Sequence, residues 1–368
     1  MNAVALAIVV LLAGQAAEVR LRGPVHEAFA ITGESRAPRL GPQPPAPLAE
    51  AVPKVYPGPG AMWIPGYWDF DAEENDWTWV SGTWRFPPAG HAWINGYWHS
   101  AAGGWQRVPG IWYPSFAGQA RLAYVAPSTA RPPMQPPPPR PARGDDPGLV
   151  FIPGEWQSLG NRLQWVSGKR IGFPEGQGWT PGRLAWTPAG VLPVSGHADL
   201  SPEARGWAFA PLRARPGAAI EPQWIWTARA WLEFAWRDPE GPYRLGDYHG
   251  TFWIDHGLVS ALDAMRQKGD PFLEPQARRL ASAVAVEQAQ YILRERSMGR
   301  QPLPPRALNR ESAAIQPWLV PAKGEPTPEA TLRREEERLK YFEKQAKARQ
   351  RLEQGIKRLP ANGLIELN

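Results

Sequence analysis

Residues 63–112 read WIPGYWDFDAEENDWTWVSGTWRFPPAGHAWINGYWHSAAGGWQRVPGIW and hold nine of the 20 tryptophans in this chain of 368 residues. The stretch repeats a six-residue unit, in which an aromatic residue stands three positions before a glycine and a tryptophan two positions after it. Internal periodicity of this kind determines the architecture of a repeat protein. The clear copies are Trp63–Trp68, Trp79–Trp84, Trp93–Trp98 and Arg107–Trp112, where arginine replaces the first aromatic residue.

A weaker series continues the repeat further along the chain, at Phe151–Trp156, Trp165–Arg170, Trp179–Leu184 and Pro193–Ala198. Tryptophan, tyrosine, valine and isoleucine favour strands, and turn residues such as PPAG at 87–90 separate the units. Short loops join antiparallel neighbours. The repeat therefore predicts a mainly β fold: an antiparallel meander of about eight short bulged strands, with a C-terminal α-helical region and proline-rich disordered linkers.

Each clear unit has a glycine at its centre, namely Gly66, Gly82, Gly96 and Gly110. Proline or glycine inside a strand is typical of a bulge. Because residues five apart point to opposite faces of a regular strand, one extra residue would return both tryptophans of a unit to one face. We expect a positive φ at Gly82 and a single packing or ligand-binding face made of Trp63, Trp68, Trp77, Trp79, Trp84, Trp93, Trp98 and Trp112.

This pattern resembles the WxxGxW or YxWGxW repeat proteins of bacterial envelopes. The residues that carry the resemblance are Trp63, Gly66, Trp68, Trp79, Gly82, Trp84, Trp93, Gly96, Trp98, Gly110 and Trp112. The segment FAPL at 209–212 also resembles the segment that comes after the repeats in some members. The resemblance implies an envelope protein and supplies no catalytic residues.

Residues 1–17 are interpreted as a signal peptide. The apolar run at 3–13 is too short to span a bilayer, and Gly14-Gln15-Ala16 after it forms a small-x-small cleavage site. The alternative is a buried helix or an incorrectly assigned start. The sequence thus predicts an exported protein of the periplasm or cell surface, with no transmembrane segment after cleavage.

The remaining boundaries follow composition, which includes 44 prolines and 36 glycines. They give a proline-rich disordered arm (18–60), repeat block 1 (61–125), a proline-rich linker (126–147), degenerate repeat block 2 (148–200), an aromatic-rich β or loop region (201–256), a helical region (257–299), and a linker with a charged C-terminal helix (300–368). The apolar seam of that last helix is thin and interrupted by charges. We therefore expect the helix to be dispensable for folding of the repeats.

Two clusters of polar residues are candidate sites. Asp247, His249, Asp255 and His256 have residue types that ligate metals, but loop polarity explains them more simply. The acidic turn with Asp69, Asp71, Glu73, Glu74 and Asp76 lacks EF-hand spacing, which favours a solvated turn. No catalytic residue, cofactor or metal is predicted.

The first functional hypothesis is an exported, non-enzymatic structural or interaction protein of the bacterial cell envelope. Its partner would be an envelope polysaccharide or another envelope protein. A net charge of +6 over this length is too diffuse to indicate nucleic acid, and the absence of cysteine excludes disulfides. The alternative is a carbohydrate- or peptidoglycan-binding module that uses the tryptophan-rich face, and a third interpretation is a hydrolase with its site in residues 207–300.

Overall fold

A computed structural model confirms the predicted fold class, because short antiparallel strands dominate it and its longest helix lies near the C-terminus. The residues it describes are 17–31, 38–115, 120–124, 149–159, 162–222, 224–226, 231, 234–239, 241–268, 270–272, 283–308, 319–321, 324–356 and 364–367. The predicted linker at 126–147 and nearly all of the predicted signal peptide lie outside these residues. No helix among the described residues is long and apolar enough to cross a membrane.

The strands of the N-terminal segment are β1 (Ala17–Val19), β2 (Gly23–Pro24), β3 (Ala49–Glu50) and β4 (Val55–Tyr56). Repeat block 1 contains β5 (Met62–Ile64), β6 (Tyr67–Asp71), β7 (Asp76–Val80), β8 (Thr83–Arg85), β9 (His91–Ile94), β10 (Tyr97–Ala101), β11 (Gly104–Val108) and β12 (Ile111–Pro114), and β13 (Ala120–Ala123) follows. Repeat block 2 contains β14 (Leu149–Ile152), β15 (Glu155–Leu159), β16 (Arg162–Val166), β17 (Lys169–Gly172), β18 (Gln177–Thr180), β19 (Arg183–Thr187), β20 (Gly190–Val194) and β21 (His197–Leu200).

The remaining elements are mixed. The strands are β22 (Gly206–Ala208), β23 (Leu212–Ala214), β24 (Ala219–Ile220), β25 (Trp224–Trp226), β26 (Ala235–Arg237), β27 (Arg244–Leu245), β28 (Val259–Ser260), β29 (Leu319–Pro321), β30 (Glu325–Pro326) and β31 (Leu364–Leu367). The helices are α1 (Thr251–Asp255), α2 (Ala261–Lys268), α3 (Ala283–Ser297) and α4 (Glu329–Gly355).

The eight repeat units form four bent hairpins of the same design, two units to each. We name them hairpin 1 (β5–β8), hairpin 2 (β9–β12), hairpin 3 (β14–β17) and hairpin 4 (β18–β21). In hairpin 1 the inner strands β6 and β7 pair around the turn, and the outer strands β5 and β8 pair beyond the bend. The other three hairpins repeat this inner and outer pairing.

The predicted bulge is therefore wrong in its geometry. Between the pairs Ile64–Thr83 and Tyr67–Val80, both strands of hairpin 1 skip two residues, whereas a bulge adds a residue to one strand only. Each unit is consequently two short strands with a bend between them. The bend falls at Pro65-Gly66 and at the opposite Ser81-Gly82, where proline cannot donate to a ladder.

The arm predicted to be disordered forms short strands, and its residues 19–30 are buried in the core. Strand β1 pairs with β23, β2 with β27 and β4 with β30, and the side chains of Leu21 and Phe29 are buried. The prediction failed because these strands are only two or three residues long. A segment this short shows no period, and partners distant in sequence hold it in place.

Strands from residues 201–256 extend hairpin 1 on both sides of its bend. Strand β23 pairs with β7, and β22 pairs with β8. The larger hydrophobic cluster joins the arm, the inner half of hairpin 1 and residues 208–272, and includes Val19, Phe29, Trp68, Trp79, Trp231 and Tyr243. Hairpin 1 is thus enclosed by chain segments from both ends of the sequence.

Helix α4 packs on repeat block 1, although its thin and interrupted apolar seam predicted little docking. Phe342 is buried with Trp93 and Trp112, and Leu332 and Leu339 pack against the cluster of Trp63 and Trp84. The charges that break the apolar seam are themselves buried, since Glu335, Arg349 and Glu353 are at most 1% exposed. Their side chains are hydrogen-bonded to the hairpins, as described below.

Candidate functional site

The glycine of a repeat unit makes room for the chain that faces it, and in most units the facing atoms include a side chain of the paired unit. A Cβ atom at Gly82 would lie within 3.0 Å of the Trp63 ring and of the Ile64 carbonyl oxygen, and one at Gly66 would collide with Trp79. The φ angles of these glycines are not in the left-handed region. The expected positive φ at Gly82 is therefore wrong, and close approach of the facing ring and carbonyl oxygen explains the glycine instead.

Units that lack the first aromatic residue fill the same space with other groups. Arg107 stands where the first three units have tryptophan, and its guanidinium lies against Gly96. In hairpin 4 the corresponding residue is Pro193, and the Glu155 carboxylate from hairpin 3 occupies the space beside Gly182. The two units without a first aromatic residue thus have a polar group where the others have a ring.

Carboxylates also satisfy the backbone donors that the bends release. Glu50 accepts the N–H groups of Gly66 and Gly82 at 2.8 and 2.9 Å, and Glu155 accepts that of Gly196 at 2.7 Å. Burial raises the pKa of Glu50 to about 7, against the lowering effect of these hydrogen bonds. Sequence reasoning missed these residues because nothing near Glu50 in the chain indicates a contact with the repeat.

Helix α4 supplies the matching groups for hairpins 1 and 2. Arg349 Nη1 donates to the carbonyls of Asn95 and Pro109 at 3.3 and 2.8 Å, on the residues that precede the two glycines. Glu353 accepts the hydroxyl of Tyr124 at 2.7 Å and pairs with Arg349 at 2.8 Å. Glu335 accepts the N–H of Trp63 at 3.0 Å. The charged residues that would weaken a coiled-coil seam thus act in α4 as hydrogen-bond partners of the hairpins.

The tryptophans assigned to one face are divided among separate clusters. Trp68 and Trp79 lie 5.3 Å apart in the cluster with the arm, whereas Trp63 and Trp84 pack with Tyr56 and Phe209. Six of the eight predicted face residues are at most 5% exposed: Trp63, Trp68, Trp79, Trp84, Trp93 and Trp112. They form the core of the hairpins, so the single open face is not present. Only Trp77 and Trp98 are half-buried.

A cleft of about 200 Å³ opens where the arm, three hairpins and the chain around α1 meet. Its aromatic walls are Tyr67, Phe70, Trp98, Trp186 and Trp253. Its charged walls are Glu27, Arg39, Asp69, Arg107, Arg183, Asp238 and Arg244. A cavity lined by aromatic side chains and a few convergent polar groups is the usual form of a ligand site, which makes this cleft the candidate functional site.

The three carboxylates of the cleft are engaged by two of its arginines. Arg107 pairs with Glu27 at 2.6 Å and lies over the Tyr67 ring at 4.2 Å. Arg244 pairs with Asp238 at 2.8 Å and with Asp69 at 3.4 Å. Burial raises the pKa of Asp69, although Arg244 opposes that effect. These pairs fix the walls and leave the other two arginines for a ligand.

Arg39 and Arg183 have no carboxylate within ion-pair distance in the described part of the chain. Arg183 is half-buried, and its Nη2 donates to the carbonyl of Gly110 at 2.9 Å. Burial lowers the pKa of Arg183 to about 10, while nearby Glu27 opposes the change. The group therefore stays cationic at neutral pH.

The first predicted polar cluster is dispersed, and of its members His256 lines the cleft. Asp247 pairs with Arg306 at 2.8 Å, the His249 ring packs edge-on against Trp236, and His256 faces the carbonyl of Phe252. Among the described residues, no three histidine, aspartate or glutamate side chains converge as metal ligands.

The acidic turn is an internal ion-pair network and not the solvated turn expected. Glu74 pairs with Arg20 and, at 2.8 Å, with Arg22, and Asp71 is buried. Although partial burial opposes the change, Arg20, Arg22 and Arg306 lower the pKa of Glu74. The sequence hid this network because the arginines lie about 50 residues before the turn and in the segment near 306.

Comparisons with protein-family models, with curated proteins and with solved structures found no match to this chain.

Proposed function

We propose that the chain is an exported, non-enzymatic interaction protein of the bacterial cell envelope, and that the cleft is where it binds its partner. The observation that carries this proposal is a difference between the charged groups at the bends of the hairpins and those in the cleft. Glu50, Glu155 and Arg349 are bonded to backbone groups at the bends of the hairpins. Arg39 and Arg183 in the cleft, in contrast, have no carboxylate partner among the described residues. The carboxylates of the cleft are held in ion pairs, which supports a binding role over acid–base chemistry.

Export is supported by the apolar run before Ala17. Strand β1 begins at Ala17, so cleavage after Ala16 would leave every described strand intact. The test is N-terminal sequencing of the protein recovered from a bacterial host after fractionation. We expect a mature chain that starts near Ala17 in the extracytoplasmic fraction. A full-length chain retained in the cytoplasm would contradict export.

Within this class, a carbohydrate-binding module is the more specific candidate. It is favoured by Trp98 and Trp186, two half-buried rings in the wall of the cleft. An aromatic face packs against the C–H face of a sugar ring, while nearby polar groups bind its hydroxyls. The binding surface would then be the cleft and not the tryptophan-rich face that the repeat suggested.

The test is a tryptophan fluorescence titration with purified peptidoglycan fragments and envelope polysaccharides. Trp186→Ala should weaken binding at least tenfold, because it removes the ring from the cleft. Trp165→Ala is the matched control, since Trp165 is a half-buried tryptophan of hairpin 3 outside the lining of the cleft. Absence of binding to every saccharide tested would reject this candidate and leave a protein partner.

A further inference from the structure

The cleft of about 200 Å³ is below the range of roughly 300–1,000 Å³ typical for drug-sized ligands. It therefore suits one ring at a time, such as a terminal or branching sugar residue. Trp98 is held in place, because its Nε1 donates to the carbonyl of Trp68 at 3.1 Å and its ring meets Trp77 edge-on at 5.2 Å. A fixed ring is a pre-organised contact surface that loses little entropy on binding.

The side chains that line the cleft have a net positive charge. Among the described residues, the lining contains four arginines and three carboxylates. All three carboxylates pair with Arg107 or Arg244. The cations that remain are Arg39 at the exposed rim and half-buried Arg183. A neutral ligand would leave both without an anionic partner.

Arg183 is placed to bind a carboxylate. One of its five N–H donors reaches Gly110, and the described residues supply no other hydrogen bond to it. The bond to Gly110 orients the guanidinium, whose remaining donors form a planar fork that matches two carboxylate oxygens. Partial burial strengthens such a pair relative to one in bulk water.

We infer that the cleft selects a pyranose ring that carries a carboxylate, with the ring against Trp186 and Trp98 and the carboxylate on Arg183. This inference rests on the proposed carbohydrate-binding function and adds the charge of the sugar to it. Two kinds of envelope glycan have this chemistry: uronic acid polymers, in which the carboxylate replaces the primary alcohol, and muramic acid, in which it is part of a lactyl ether.

The experiment measures binding of the full chain by calorimetry to three probes. These are a galacturonic acid trisaccharide, the same trisaccharide with its carboxyl groups reduced to alcohols, and a disaccharide that contains N-acetylmuramic acid. We expect at least tenfold tighter binding of one acidic probe than of the reduced trisaccharide. The preference should weaken between 50 and about 500 mM salt, because salt screens ion pairs. The two acidic probes distinguish the sources of the carboxylate.

Arg183→Met should remove the preference for the acidic probe and leave the affinity for the reduced trisaccharide unchanged. Arg183→Lys keeps the charge without the fork and should retain part of the preference. The matched control is Arg333→Met, which removes an exposed arginine on α4 outside the cleft. Near-ultraviolet circular dichroism checks folding, and if Arg183→Met does not fold, Arg183→Lys and the salt series test the same point.

The outcomes separate the two proposals. If acidic and reduced probes bind equally, or if both lose affinity equally in Arg183→Met, the inference on charge is overturned while carbohydrate binding stands. If no probe binds, the carbohydrate-binding proposal itself is rejected. A preference for the acidic probe that depends on Arg183 supports both.

Discussion

Hairpins 1 and 3 have the same bend and the same ring-on-glycine contacts, but they lie in different surroundings. In hairpin 1 Trp68 and Trp79 meet edge-on at 5.3 Å and are 3% and 2% exposed. In hairpin 3 Trp156 and Trp165 meet edge-on at 5.4 Å, yet both are half-buried and Val166 is 39% exposed. The bend is thus a property of the repeat unit, and burial is a property of the segments that pack against it.

The difference lies in the partners that each hairpin receives. Hairpin 1 gains β22 and β23 as sheet neighbours and α4 against its outer strands. The strands described for hairpin 3 pair only with one another. We conclude that the aromatic residues of a unit are sufficient for the local geometry, and that segments distant in sequence convert the same geometry into a core.

The largest effect should follow from breaking the brace that α4 provides to block 1. Arg349→Met leaves Glu353 buried without its cation, and removal of one member of a buried ion pair costs about 3–5 kcal/mol. The measurement is the free energy of unfolding in urea. Lys347→Met is the control, because Lys347 and Glu343 are exposed and such pairs contribute about 0.3–0.5 kcal/mol. Equal effects of the two changes would show that α4 does not brace the hairpins.

The next largest effect on stability is expected when equivalent tryptophans of hairpins 1 and 3 are replaced. Trp79→Ala should destabilise by about 3–5 kcal/mol, as expected for a buried aromatic side chain. Trp165 occupies the equivalent position in hairpin 3. Trp165→Ala should cost about 1–2 kcal/mol, because a half-buried ring removes less apolar area from water on folding. Both values come from the same urea titration. If Trp165→Ala costs as much as Trp79→Ala, the packing segments do not set the contribution of the ring to stability.

The smallest expected effect is the pH dependence of stability that Glu50, at the bend of hairpin 1, causes. Burial raises the pKa of Glu50 to about 7 from its ordinary value of 4.5. A raised folded-state pKa means that the native state binds the proton more tightly, so the contribution of Glu50 to stability is lost as pH rises from about 4.5 through 7.

Glu50→Gln isolates that contribution from those of the buried histidines. His26, His197 and His249 have pKa values lowered by burial, which changes stability in the opposite direction over part of the same range. We expect the difference in unfolding free energy between wild type and Glu50→Gln to change by about 2–3 kcal/mol between pH 5 and 8, in favour of the variant at high pH. A difference independent of pH would contradict the raised pKa.

The repeat made the hairpins predictable because its signal is local. Eight units, their strand character and the glycine positions follow from residues close together in sequence. The reason for the glycine did not follow, since it depends on which unit faces which. In its own strand, Gly82 indicates a backbone conformation that other residues avoid. The steric reason for the glycine becomes visible only when Trp63 is placed opposite it.

The candidate cleft could not be predicted because its parts are scattered. Glu27 belongs to the arm, Asp69 to hairpin 1, Arg183 to hairpin 4 and Arg244 to the segment after the repeats. None of these residues has a distinctive sequence context. The docking of α4 could not be predicted for a related reason. Arg349 and Glu353 interrupt its apolar seam, yet they bind a carbonyl and a hydroxyl group that come close to the helix only in the folded protein.

The central claim is that the glycines exist because a facing side chain occupies their Cβ space, and a double-mutant cycle at Gly110 and Trp93 tests it most directly. The three atoms nearest to a Cβ at Gly110 are all side-chain atoms, of Trp93 and Glu27. Gly110→Ala should cost about 2–3 kcal/mol in the wild type, and at least about 1 kcal/mol less in a Trp93→Leu background. Gly172→Ala is the control, because its Cβ would have ordinary contact with Leu149 at 3.6 Å, and it should be neutral or stabilising by up to about 1 kcal/mol. Additivity of Gly110→Ala and Trp93→Leu to within about 0.3 kcal/mol would contradict the claim.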